Sequence, residues 1–291
     1  MSRQTSRGIA TVSQMCRAFG LSRQALHAAR STRVKEKRTA RQTERASILS
    51  AQVLRDEIQK VVDENPAWGS RKVWASLRRC DFRASYKRVW ALMKSMGLSF
   101  PPSAHRDLDT RGHVTVPDSN RRWASDLTTA YTTQDGWVAI VPLIDCGDRV
   151  VLDIEVTRSQ DSSAVLRPIE RALERMFGSP LAVPAGLELR TDHGPQYTGR
   201  DCANVCQAWN VTHTFSPIGR PTGNAVVERF IQTLKVEVIW TQDWTTEDEL
   251  RCAIQRWLLV YNNKRPHQAL DWQTPFERRA LNLRADLQEA A

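Results

Sequence analysis

The 291-residue chain is expected to fold as a mixed α/β domain, a five-stranded sheet flanked by helices, behind basic all-helical segments. Three observations point there. WASDLTTAY, GWVAIVPLID and RVVLDIEV are three strand-like runs in succession, and beyond them helical and strand-like patterns alternate. Before residue 98 the apolar spacing is helical. Charge divides the chain in the same way: residues 1–122 hold 25 Lys and Arg against 10 Asp and Glu, whereas the whole chain carries a net +10. A cationic end of this kind attracts a polyanion and releases its condensed counterions, so nucleic acid is the expected partner.

Residues 1–64 form the first basic helical segment. Val12, Met15, Cys16 and Phe19 share one helical face, Gly20 breaks it, and Ser22 caps a second helix lined by Ala25, Leu26 and Ala29. This is a helix-turn-helix pattern, with Arg23 and Gln24 at the start of the second helix, where groove contacts are made. A basic stretch over 31–44 leads into a helix over 45–63, closed by Asn65-Pro66.

Residues 65–98 repeat the theme. A helix starts near Ser70, CDFRAS turns, and Ser85 caps a helix whose Val89, Leu92, Met93 and Met96 face inward until Gly97. Arg71, Lys72, Lys87 and Arg88 stand near the helix starts as candidate phosphate contacts, with a solvated basic face as the competing reading. Residues 99–120 are Pro-rich and polar, an interdomain linker. The α/β core then runs over 121–282, followed by a tail at 283–291.

Within the core, turns at Gln134-Asp135-Gly136 and Cys146-Gly147-Asp148 separate the first three strands. A helix over 162–177, the strand LELRTD, a helix over 200–209, the strand VTHTFS and helices over 224–239 and 247–261 complete it. No apolar run approaches the roughly 20 residues of a membrane span. The N-terminus lacks the apolar core of a secretory leader, so a cytoplasmic protein without membrane attachment is expected. The six cysteines contain no CxxC pair and read as free, largely buried thiols. Cys202 and Cys206 lie four apart on one helix; with no His pair at matching spacing they read as core packing rather than a zinc site.

Asp126 falls in the first strand, Asp192 at the end of the fourth, and Glu228 one turn inside the long helix. Strand ends and a helix start can converge on one edge of an open α/β sheet. Carboxylate oxygens suit magnesium, and two such ions about 4 Å apart can activate an attacking oxygen and stabilise a leaving one. Asp145, Asp153 and Glu237 are rival acids in the same region.

Asp126 and Asp192 are 66 positions apart, and 35 residues separate Asp192 from Glu228. In this order and at this spacing, WASDLT, TDHGPQYTGRD and PTGNAVVERFIQTLK resemble the DDE transposases and retroviral integrases. The likeness is greatest to the second-reading-frame product of the insertion-sequence family numbered three. It extends over residues 12–280 and takes in WGSRKVWASLRR and YNNKRPHQALDWQTPFE.

The resemblance implies a ribonuclease-H-like core in which Asp126, Asp192 and Glu228 are catalytic and bind two Mg2+ ions, with Mn2+ as a substitute. It places Lys235, and with it Arg229, beside the element's DNA end. His193 and Asn224 become supporting candidates, the first to orient a water or phosphate and the second to cap the Glu228 helix. Tyr261, Asn262, Arg265, Pro266 and His267 form a further signature, read either as helix termination with packing or as a backbone contact by Arg265 or His267. The implied partners are the element's terminal repeats, target DNA, further copies of the chain in a synaptic complex, and an upstream-frame partner or fusion. A DNA-binding regulator that does not cut, and a nuclease that does not join, are the rival functions.

Overall fold

The computed structural model describes residues 51–100, 116–217 and 224–289. The first helix-turn-helix, with Arg23 and Gln24, and residues 101–115 of the expected linker lie outside the described residues. The chain divides into two compact units, residues 1–56 and 57–291, and the second holds the hairpin and core described next.

Helix α1 (Ala51–Glu64) is followed by α2 (Ser70–Arg79) and α3 (Tyr86–Ser95). Ser85 Oγ accepts the Arg88 backbone N–H at 3.4 Å, so α3 is capped where the sequence places its cap. Val73, Leu77, Val89 and Met93 are buried where α2 and α3 meet. Trp74 donates to the Ala84 carbonyl at 3.1 Å, and its ring stands edge-on to Trp272 with centroids 6.0 Å apart, which joins the hairpin to the C-terminal part of the core.

The sheet contains β1 (Arg122–Ser125), β2 (Thr128–Thr132), β3 (Gly136–Asp145), β4 (Val151–Thr157), β5 (Glu188–Thr191) and β6 (Thr212–Phe215). Six strands appear among the described residues where five are expected, because the first strand-like run is broken at Asp126-Leu127. The Asp126 carboxylate accepts the Leu127 N–H at 2.8 Å, a side-chain bond that competes with ladder pairing. β1 and β2 still share one position in the sheet, since both pair antiparallel with β3, at opposite ends of it. β4 flanks β3 on the other side, while β5 and β6 extend the sheet in parallel from β1.

Helices cover both faces. α4 (Ser162–Phe177) and α6 (Arg200–Ala208) pack on one, burying Val141, Leu143, Ile169, Leu173, Leu189, Cys202 and Cys206 together. α7 (Ala225–Glu237) and α8 (Glu247–Asn263) pack on the other, against Val138, Ile140 and Ile144. Successive β3 side chains therefore enter opposite cores, which is why GWVAIVPLID is almost continuously apolar. The short α5 (Pro195–Thr198) follows β5.

The last helix, α9 (Pro275–Glu289), continues through most of the expected tail. Thr274 and Glu277 each take the other's backbone N–H, a reciprocal cap that starts it. Arg279 anchors it to Asp145 at 2.8 Å and Asp148 at 2.6 Å. The described cysteines are all free; Cys146, Cys202 and Cys206 are buried, but Cys80 and Cys252 are exposed, against the expectation for them. No helix among the described residues is long and apolar enough to cross a membrane.

Candidate active site

The 66-position interval between the two aspartates is the register of a parallel strand pair. Arg122 faces Glu188, Trp123 faces Leu189 and Ala124 faces Arg190. Two residues further along both chains, the same register brings Asp126 level with Asp192. Each leaves its strand at the same edge of the sheet. Asp192 then accepts the Gly194 N–H at 2.9 Å. A Cβ at Gly194 would stand 3.0 Å from that carboxylate oxygen, so glycine lets the chain turn tightly beneath it.

Glu228 comes from the first turn of α7, which Val227, Phe230, Ile231 and Leu234 seat against the sheet. Asn224 occupies the N-cap position but its side chain does not cap. Instead its amide donates to the Ser125 carbonyl at 3.3 Å, tying the start of α7 to the residue before Asp126. Its Oδ1 is buried without a partner among the described residues. Tyr197 and Ser125, which lie within the quoted motifs but take no role from them, share a buried hydroxyl–hydroxyl bond of 2.9 Å. That bond links α5, just past Asp192, to the strand that carries Asp126.

Electrostatics shows Asp192 and Glu228 acting on Asp126. Asp126 is pushed up to about 6; burial is the largest cause, the Leu127 N–H opposes it, Asp192 and Glu228 add to it, and Lys235 lowers it. Burial also raises Glu228. Lys235 thus acts electrostatically on the Asp126 carboxyl. His193 is exposed and stacks on Phe215, with ring centroids 4.9 Å apart.

Other expected residues are placed differently. Lys72 is partly covered: its ammonium donates to Glu237 at 2.9 Å, and burial pulls its pKa down. It ties α2 to the end of α7 through that ion pair. Arg229 is exposed beside Glu228, and Arg71 and Lys87 are exposed on α2 and α3, with Arg88 partly covered. Arg265 is buried against Glu237 at 2.9 Å, and burial holds His267 well below the usual histidine range, which favours packing over DNA contact for both. The rival acids are occupied as well, Asp145 by Arg279, Asp153 by Arg171 and Arg175, and Glu237 by Arg265 and Lys72.

One stability effect follows from the site. An aspartate ionises near 3.9 in an unfolded chain, so a folded value near 6 means that ionisation opposes folding. Stability from this group is fully present below about pH 4 and is lost as pH rises through about 6. Asp126→Asn should therefore stabilise the metal-free protein at pH 7.5 by about 1–3 kcal/mol, allowing for partial solvent screening. Urea unfolding in EDTA should show that gain shrinking toward zero at pH 4, and a gain independent of pH would contradict the assignment.

Two models described as integrase core domain match residues 117–221 and 209–275, and one described as an HTH-like domain matches residues 50–116. A protein of insertion element IS407 from Burkholderia multivorans is 28% identical over 265 residues, covering 90% of this chain and 88% of its own length. The chain belongs to the DDE transposase and integrase superfamily. The insertion-sequence family numbered three fits it. Transposase InsD of insertion element IS2 from Escherichia coli is 29% identical over 248 residues, covering 79% of this chain and 80% of that protein. Among solved structures, a simian T-cell lymphotropic virus intasome in complex with a PP2A regulatory subunit is similar at a TM-score of 0.48 and 15% identity, over 76% of this chain and 74% of that one. The HTLV-2 integrase catalytic core in complex with magnesium is similar at 0.41 and 17% identity, over 55% and 96%.

Proposed function

We propose that this transposase binds the ends of an insertion element and carries out strand cleavage and strand transfer at a site where Asp126, Asp192 and Glu228 hold two Mg2+ ions, with Mn2+ able to replace them. The observation that carries the reading is the convergence of three carboxylates from β1, β5 and α7, close enough that two of them raise the third. The donor set is all oxygen, as a hard divalent cation requires, and the acids repel one another until a cation balances them. Bound there, the ions would supply the positive charge that activates an attacking oxygen and stabilises the leaving one in an in-line displacement at phosphorus.

The chain's own groups prepare that site. Asn224 and the Tyr197–Ser125 bond fix the strand end that carries Asp126. Asp126 must lose its proton to act as a ligand, so metal affinity should fall as pH drops through about 6. The exposed bases Arg71, Lys87 and Arg229, with Arg23 and Gln24, are the proposed DNA contacts. Further copies of the chain in a synaptic complex, an upstream-frame partner and a bacterial, nucleoid-associated setting belong to the same reading.

The test is incubation of the purified chain with labelled terminal-repeat duplex and magnesium, scoring cleavage and joining separately. Both products are expected. Cleavage without joining would point to a nuclease, and binding without either to a regulator.

Lys235 has a separate test. Its charge acts on Asp126, and from there it can steady DNA flanking the scissile phosphate without being a metal ligand. Lys235→Ala should lower cleavage of the specific end about tenfold or more, roughly the loss of one charge-assisted hydrogen bond, while Lys235→Arg keeps most of it. Equal activity of wild type and Lys235→Ala on specific and unrelated duplexes would make Lys235 an ordinary surface lysine.

A further inference from the structure

Beneath the catalytic edge, where α6 meets β6, lies a cluster that strand transfer does not use. We propose that Cys202, Cys206 and His213 form a zinc(II) site that staples α6 to β6. The two cysteines stand on successive turns of α6 with side chains buried, at 0% and 4% exposure. His213 comes from β6, and one ligand atom from each of the three residues lies within 4.8 Å of the others.

The geometry is near that of a filled site. Zinc bonds of about 2.3 Å to sulfur and about 2.0–2.1 Å to nitrogen, at tetrahedral angles, put sulfur about 3.6 Å from nitrogen and about 3.8 Å from a second sulfur. Cys202 Sγ is 3.8 Å from His213 Nδ1. The other separations are within 4.8 Å, so the three side chains would close by up to about 1 Å on binding.

The other ring nitrogen is already engaged. His213 Nε2 lies 3.0 Å from Thr191 Oγ1, and that hydroxyl donates to the Asp192 carbonyl at 2.9 Å. With Nε2–H donating to Thr191, Nδ1 is the nitrogen left free for a metal. This is how a ligating histidine is usually oriented by an outer partner. Cys202 Sγ lies 3.8 Å from Nδ1 and 4.0 Å from Nε2, so the cysteine side chain would have to swing to the Nδ1 side on binding. The chain of bonds ends on the backbone of Asp192, so the staple would hold β5 and β6 in place under that carboxylate.

Charge decides which metal. Two thiolates and a neutral imidazole around Zn2+ sum to zero, which a buried site tolerates, whereas a monovalent soft ion would leave an uncompensated negative charge. The usual spacing patterns miss the site because its histidine is reached through the α6–β6 turn.

The experiment uses the full chain. Protein stripped with chelator and dialysed against zinc should retain about one zinc per chain, and cobalt(II) in its place should give a thiolate-to-metal charge-transfer band in the near ultraviolet. A carboxylate site produces no such band, so Asp192→Asn should keep it. Cys206→Ser and the half-exposed His213→Gln should each weaken zinc binding at least a hundredfold with far-ultraviolet circular dichroism unchanged. Thr191→Val should weaken it about 10–100-fold. Absence of stoichiometric zinc and of the band in wild type, or a band that survives in both ligand variants, would overturn the site and leave the transposase reading untouched.

Discussion

Asp126→Asn, Asp192→Asn and Glu228→Gln are each expected to lower strand cleavage and joining by more than about 10^2–10^3-fold, the scale of removing one electrostatic contact to developing charge, while DNA binding stays measurable. The changes are nearly isosteric, so what they remove is charge. Asp126 shows why one substitution suffices. Its carboxyl is held near 6 by burial and by the charges of Asp192 and Glu228, so removing any one acid changes the charge that the group would offer a cation. The same charge that would ligate metal opposes folding when metal is absent. Asp126→Asn should therefore be the inactive variant that unfolds at higher urea, a separation of activity from stability that a merely misfolded variant cannot show. Gel-shift, cleavage and joining assays on each purified variant make the comparison. Substantial magnesium-dependent activity in any one of them would remove that residue from the site.

The largest expected stability effect lies elsewhere, at Arg279. Its guanidinium reaches Asp145 and Asp148, whose side chains are both 0% exposed, and it is itself 10% exposed. Removing it leaves two buried carboxylates without their counter-charge. Arg279→Ala should cost about 3–5 kcal/mol at neutral pH. Burial, then Asp148, already raise the Asp145 carboxyl against the pull of Arg279, and without the arginine it rises further. A raised acid gives its stability at low pH and loses it as pH increases, so the deficit should narrow under acid conditions. Urea unfolding of wild type and variant at two pH values tests this. A cost below about 1 kcal/mol, or one that grows on acidification, would contradict the network.

How much of this was legible in the sequence depended on where each signal lies along the chain. The two aspartates are readable because their spacing is a strand register: a parallel pair repeats one offset, and 66 positions carries Ala124 to Arg190 as it carries Asp126 to Asp192. Glu228 is readable because one apolar face, Val227 to Leu234, fixes its helix. Features decided by a single distant partner were not. Lys72 reads as a phosphate contact because Glu237, its partner, is 165 residues away. The break between β1 and β2 depends on one side-chain bond from Asp126 to the next N–H, invisible to apolar alternation. Residues 283–289 look like a tail because they carry little apolar pattern; the helix is held from its beginning, by Thr274, Glu277 and Arg279. Tyr197 lies within the TDHGPQYTGRD motif, but its part is not legible there and appears only when α5 meets β1.

The central claim is that Asp126, Asp192 and Glu228 together hold the divalent metal, and thermal unfolding of the full chain tests it most directly. A ligand that binds only the native state stabilises it, by about 2.7 kcal/mol at a hundredfold excess over its Kd. Magnesium, which thiolates do not hold, should raise the Tm of wild type over EDTA. The same addition should leave Asp126→Asn, Asp192→Asn and Glu228→Gln unmoved or nearly so. A magnesium shift of equal size in wild type and in all three variants would place the metal elsewhere and contradict the account.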